Sequence, residues 1–455
     1  MAALTADEIR ARVEGDWDRI IEVLSKKIAL RSVSANGITA EHMKRSAEFV
    51  ADELRKVGVD AKVVQSHNPD GTPGAWEVIG SHIVDPDAPT VLLYAHHDVQ
   101  PVPDPSAWDT DPFVATAIGD RLYGRGSADD GGGIAIHSGA LKALDDDLKV
   151  NIKVFIEGEE EMGSASFIPF IEEHQSDFES DVIIVADSGN WSAEIPSLTT
   201  SLRGNTNLDV TVRALTHPVH SGQYGGPILD ANTLAAMLIA SMHDANGDLA
   251  VPGVLAEEPI GGLQQDVDET SMRADAGVVP GYRLAGTGSI ASRMWTKPSV
   301  TVIGFDAHPV DGSFNVIAPE TRFRLSLRTA PNQRPEEAQA ALADFLKAHA
   351  PFGAEVEVEP GDNGMGWAMD PNAVATRDAL EAMEEAFGVA PINQGQGGSI
   401  PFIPELQRIF PDAQVLVTGP EDPKANAHSP NESVSLFGLK HNVITEALLL
   451  AKLGK

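Results

Sequence analysis

Three apolar runs in this chain end directly on residues that bind hard or borderline cations. "VLLYA" (91–95) leads into His96, His97 and Asp98, "KVFIEG" (153–158) into Glu159, Glu160 and Glu161, and "VIIVA" (182–186) into Asp187. A fourth run, "QVLVTG" (414–419), leads through a loop to His428. Glu157, Glu159, Glu160 and Glu161 crowd four carboxylates into one short stretch, and they repel one another unless water or a cation intervenes. Imidazoles and carboxylates at strand ends form a donor set for divalent ions. The alternative is plain wet surface, since a lone histidine after a strand or a run of glutamates is an ordinary loop feature. The recurrence at four strand ends puts the metal reading on an equal footing with the bland one.

Periodicity indicates the elements that must position these residues. Apolar residues recur at helical spacing over 5–30 (Ile9, Val13, Trp17, Ile20, Ile21, Leu24, Ile28), and again over 40–57. The runs at 90–95, 152–158 and 182–188 read as buried strands, and "GGIAIHSGALKAL" (132–144) as a helix. Short continuous apolar runs alternating with helices predict a doubly wound α/β layer with a mainly parallel sheet. Ligands of such sheets collect beyond the carboxyl ends of the strands, where the histidines and carboxylates fall.

After Pro196 the pattern changes. "RGNTNLDVTVRAL", "SVTVIGF", "TRFRLSLR" and "AEVEVEP" alternate with period two, while "DANTLAAMLIASMHD" and "RPEEAQAALADFLKAHA" are helical. This predicts an α+β domain inserted over 197–361, with the α/β domain built from 1–196 and 362–455. The second part contains the helix "NAVATRDALEAMEEAFG", the strand "AQVLVTG" and a C-terminal helix from Ser435 to Leu453, whereas Gly262–Gly288 reads as a long loop.

The chain has 455 residues, 42% hydrophobic and 22% charged, as expected of a folded protein of more than one domain. With 33 basic against 67 acidic residues its net charge is −34, which argues against nucleic acid or an anionic membrane as partner. There is no cysteine, so thiolate metal sites and cysteine nucleophiles are excluded. The first residues lack the apolar core of a secretory signal and no run is long enough for a membrane span, so a soluble cytoplasmic protein is expected. There is no phosphate-binding G-x-x-x-x-G-K-[ST] loop, H-E-x-x-H helix or G-x-S-x-G elbow.

Taken in order, "YAHHDVQPVP", "LYGRGSADDGGG", "EGEEEMGSASF", "VADSGNW" and "NAHSPNES" resemble the di-zinc exopeptidase and aminoacylase superfamily, most closely its cytosolic non-specific dipeptidase and carnosinase branch. The resemblance covers nearly the whole chain. It implies two divalent ions, zinc or alternatively manganese or cobalt. His96 and Asp187 would hold one and Glu161 and His428 the other, with Asp129 bridging them and joined to Asp130 by a cis peptide. Asp98 would orient His96, and Glu160 would be the general acid/base. His97 is left as structural, and Glu157 and Glu159 as supporting or solvated.

The inserted domain would then be the family's lid and dimerisation domain. His220, in "HSGQYGG", would stabilise the oxyanion of a neighbouring subunit's substrate, which implies a homodimer. Arg328 would hold a substrate carboxylate together with Gly398 and Ser399 of "GQGGSIP", and Asn315 would contact the carbonyl. Two departures stand out. Gly131 replaces a lysine usual after the paired aspartates, and Gln396 stands where this branch often has glutamate. The activity implied is hydrolysis of dipeptides or short peptides. The rival is an N-acyl or N-succinyl amino acid amidohydrolase, or a carboxypeptidase, sharing the same metal motifs; Asp187, where those enzymes usually carry glutamate, leans against it.

Overall fold

The computed structural model describes residues 4–398, 400 and 402–455. The chain divides into two compact units: Met1–Thr199 with Met369–Gln394 and Glu405–Lys455, and Thr200–Ala368 with Gly395–Pro404.

In the first unit the sheet runs in the order Asp60–His67, Pro73–His82, Asn151–Glu157, Thr90–His96, Val182–Val185, Gln414–Val417. Its four inner strands are parallel. The first two form an antiparallel pair added at one edge. The inner strands are nearly continuous in burial because both faces are covered, which is why they read as unbroken apolar runs. Register decides where they end: Tyr94 lies opposite both Phe155 and Val185, and His96 opposite Glu157. The residues that follow each strand therefore arrive level at one edge.

The helix Gly131–Leu144 is buried at every residue but Lys142, so it carries no polar face and belongs to the interior. His137 ties it to its surroundings, with Nδ1 2.9 Å from the Glu446 carboxylate on the helix Leu436–Leu453 and Nε2 2.9 Å from the Tyr94 carbonyl. The N-terminal periodicity resolves into two helices, Ala6–Gly15 and Trp17–Ala29. The break falls at Asp16, which leaves helical geometry (φ −102°, ψ 1°) and pairs with Arg19. Thr5 and Glu8 form a reciprocal capping box at the start.

In the second unit an antiparallel sheet runs Ser299–Asp306, Glu320–Thr329, Gly204–Arg213, Glu355–Gly364. Burial alternates strictly along Gly204–Arg213 because one face is wet. Leu208, Val210, Phe323 and Leu325 on the other face form a core with Leu234 and Leu238 of Ala231–Ser241 and Leu342 and Leu346 of Pro335–Ala348. The segment expected as a loop holds a short helix, Glu269–Asp275, capped by Asp268. Gly395–Pro404 belongs with this unit because Arg203 grips it: its N–H donates to the Gln396 carbonyl (3.4 Å) and its Nε to the Gly397 carbonyl (3.2 Å). Among the described residues no helix is long and apolar enough to cross a membrane.

Candidate metal centre

His96 is the last residue of Thr90–His96 and is fully buried. Its Nε2 lies 2.9 Å from Asp129 Oδ1 and 3.7 Å from Asp187 Oδ1. On the other side of Asp129, Oδ2 is 2.8 Å from His428 Nε2, which is itself 3.2 Å from Glu161 Oε2. One carboxylate therefore faces both histidines. Two groups of donor atoms, each within 4.8 Å of one another, result: His96, Asp130 and Asp187, and Asp129, Glu161 and His428. All five residues that the motifs nominate as ligands lie together, and Asp130 joins them.

These residues fit a pair of divalent ions. Burial alone would lower His96, yet Asp129 and Asp187 hold it well above the ordinary imidazole value. Asp129 and then Glu161 push His428 up to about 11. Burial would raise Asp129, but His428 and His96 hold it well below the usual carboxylate range. The donor set thus demands positive charge, which protons on both imidazoles supply and which cations would supply in their place. Glu161 Oε1 is buried with no hydrogen-bond donor, an oxygen that a cation would satisfy.

The supports come from distant segments. His96 Nδ1 lies 3.2 Å from the Asp98 main-chain oxygen and 3.3 Å from its Oδ1, while Asp98 Oδ2 accepts from the Glu161 N–H (3.1 Å). Asp98 thereby links a residue of each group. The Asp129–Asp130 peptide is cis. Asp130 accepts from the N–H groups of His96 (3.1 Å) and Gly133 (3.0 Å), which joins the strand end to the start of the buried helix. Gln100 Nε2 donates to Glu161 Oε2 at 2.7 Å. His428 itself sits at φ 61°, a left-handed conformation that a side chain adopts only at a cost.

Glu432 went unnoticed in the sequence although it lies in the same "NAHSPNES" motif as His428. It is fully buried and accepts from Arg125 Nη1 (2.7 Å) and from the N–H groups of Gly126, Ala128 and Asp129 (3.0, 3.0 and 3.1 Å). It thereby holds the loop that presents Asp129. Burial, and then the Asp129 charge, pushes it up to about 7.

The glycine at 131 also has a local cause. A Cβ there would lie 2.4 Å from the Gly126 carbonyl oxygen and 3.4 Å from Lys27 Cγ. Lys27 is itself buried, donates to Ser32 Oγ (2.8 Å), and places its charge near Asp98, Asp130 and Glu432. A cation thus reaches this side of the centre from Trp17–Ala29. Gly131→Lys is expected to overpack the helix start and lower unfolding stability by about 1–3 kcal/mol, read by denaturant titration.

The remaining glutamates separate by environment. Glu157 accepts from the Tyr94 hydroxyl (2.7 Å) and Glu159 from Ser166 Oγ (2.7 Å); both are buried, so both support the turn and neither is solvated. Glu160, on the turn Glu160–Met162, is half-buried, and its carboxyl faces the charges of Asp187, His96 and Glu161. Burial first, then Asp187, pushes it up to about 9. His97 points away, its Nε2 2.7 Å from the Trp76 carbonyl, and burial brings it down to about 4.

His220, Asn315, Arg328 and Gly398 belong to the second unit. His220 pairs with Val316 in a short ladder, and its Nδ1 accepts from the Gly222 N–H at 3.0 Å. The Asn315 carbonyl accepts from the Ser221 N–H at 3.3 Å, so His220 and Asn315 lie at one small two-stranded ladder formed by distant segments. Arg328 is half-buried on Glu320–Thr329, with no carboxylate paired to it among the described residues. Arg203, also missed in the sequence, holds the Gln396–Gly397 backbone, and its charge faces Arg328. Gly398 is exposed, and Ser399 lies outside the described residues.

Known proteins resemble this chain over nearly its whole length. The chain is 34% identical over 448 residues to the cysteinylglycine-S-conjugate dipeptidase of Corynebacterium striatum, covering 96% of each. It is 26% identical to the Cys-Gly metallodipeptidase dug1 of Schizosaccharomyces pombe, covering 95% of each. Human carnosine dipeptidase 1 shares the fold, with a TM-score of 0.75 at 24% identity and all of both chains covered. The model of Peptidase family M20/M25/M40 matches residues 92–451, a span that includes His96, Asp129, Glu161, Asp187 and His428. By that match and by the relative that spans nearly its whole length, this chain belongs to Peptidase family M20/M25/M40.

Proposed function

We propose that the protein hydrolyses the peptide bond of dipeptides or short peptides, with two divalent ions, taken to be zinc, as cofactor. The observation that carries this reading is the Asp129 carboxylate, whose two oxygens lie 2.9 and 2.8 Å from the Nε2 atoms of His96 and His428. His96, Asp129 and Asp187 would hold one ion, and Asp129, Glu161 and His428 the other, with Asp98 and Asp130 keeping the donors in place. When bound, such ions polarise a carbonyl and acidify water. Glu160 takes the proton from the attacking water at its carboxylate and returns it to the leaving amine. In a homodimer, His220 donates to the developing oxyanion and Asn315 to the carbonyl, while Arg328, Gly398 and Ser399 receive the substrate's terminal carboxylate, to which guanidinium geometry is suited. The reading includes a cytoplasmic location.

The test is a panel of free dipeptides, including Cys-Gly and β-Ala-His from the relatives' names, run beside N-acetyl amino acids on protein of measured metal content. Free dipeptides are expected to be cleaved with the higher kcat/KM and chelation to abolish turnover. Preference for the N-acetyl compounds would instead support the amidohydrolase alternative.

A further inference from the structure

One more carboxylate outside both donor groups lies within electrostatic reach of the centre. Glu421 follows the strand Gln414–Val417, and its backbone is stitched to the loop after Asp187. Its N–H donates to the Ser188 carbonyl (3.2 Å), its carbonyl accepts from the Asn190 N–H (2.8 Å), and it forms an isolated parallel bridge with Gly189. The two segments press together closely: a Cβ on Gly189 would stand 3.1 Å from the Cβ of Glu421. Asn190 and Asn442 both donate to the Gly419 carbonyl at 3.1 Å, which secures the turn leading into it. Glu421 is thus held against the Ser188–Asn190 segment that follows Asp187, and its half-buried carboxyl lies within electrostatic reach of Asp129, Asp187, Glu432 and His428.

Its neighbours are already occupied. Glu432 is taken up by Arg125 and three N–H groups, and Asp422 by Arg121 (2.9 Å) and the Lys424 N–H (2.8 Å). Among the described residues no ion pair or side-chain hydrogen bond engages Glu421, and it lies outside both groups able to hold an ion. A carboxylate enclosed by other carboxylates is unfavourable unless a cation meets it. The substrate carries one. In an α-dipeptide such as glycyl-L-alanine a single carbon separates the ammonium from the scissile carbonyl, so a carbonyl placed at the centre brings that ammonium close to the ligands. There bound divalent ions would repel it, and a carboxylate next to the segment after Asp187 would offset the repulsion.

We propose that Glu421 receives the protonated amino terminus of the substrate and so selects free peptides over N-acylated ones. This rests on the dipeptidase reading above. Glycyl-L-alanine and N-acetyl-L-alanine test it, because they differ only in the amino group. Wild type and Glu421→Gln, each loaded with zinc and assayed for metal content and unfolding temperature, are compared on both. The variant is expected to retain two ions per chain, to raise KM for glycyl-L-alanine by at least about tenfold and to shrink the preference over N-acetyl-L-alanine by a similar factor. Glu421→Asp is expected to recover part of that preference. An unchanged preference in Glu421→Gln, or loss of bound metal, overturns the proposal while leaving the dipeptidase reading intact. Wild-type protein that favours N-acetyl-L-alanine overturns both.

Discussion

Glu160→Ala is expected to retain two divalent ions per chain while losing roughly a hundred- to ten-thousand-fold in kcat on a free dipeptide, the range of general acid–base catalysis. The retention follows from position, since Glu160 contributes to neither donor group. The loss follows from what distinguishes it from its neighbours. Glu157 and Glu159 are buried and committed to Tyr94 and Ser166, and Glu161 faces His428. Glu160 alone of the four is half-buried beside both groups without serving either of them, its carboxyl facing Asp187 and His96. Metal analysis and steady-state kinetics on the same preparation decide the matter. A Glu160→Ala enzyme turning over within a few-fold of wild type would remove this residue from the chemistry.

Asp129→Ala is expected to give the opposite signature, with both ions weakened and activity lost as a consequence. Loss of an outer partner of a ligand typically costs about 10–100-fold in metal affinity, and a carboxylate placed between two histidines should cost at least the upper figure. The geometry excludes a one-sided effect, because each Asp129 oxygen faces a different histidine. Dialysis followed by metal analysis is expected to leave less than one ion per chain. Two ions held at native affinity would mean that Asp129 does not bridge. Together the two variants separate chemistry from binding: one keeps the ions and loses the rate, and the other loses both.

Much of the centre was legible in the sequence because its key residues are covalently next to the strands that position them. His96 ends a strand, Glu160 and Glu161 follow another, and Asp187 a third, so apolar runs pointed to these strand ends, and the motif resemblance singled out the individual residues. The antiparallel pair Asp60–His67 and Pro73–His82 was not legible. Glycines interrupt it, and one of them, Gly80, has no room for a side chain because a Cβ would lie 2.8 Å from Val59 Cγ1. Nor was the allegiance of Gly395–Pro404, which depends on Arg203 almost two hundred positions earlier.

The amino-acid order by itself determined which side chains end the strands, the alternation that separates a two-faced sheet from a buried one, and the family motifs. Folding in three dimensions decided the rest: that His96 stands level with Glu157, that Asp130 joins a donor group, that Glu157 and Glu159 are struts, and that Lys27 lies where position 131 has no room. The reason is one of range. Strand character and the residue that follows it are set by neighbours in the chain, whereas burial, register and charge balance arise only when segments hundreds of residues apart are packed into contact.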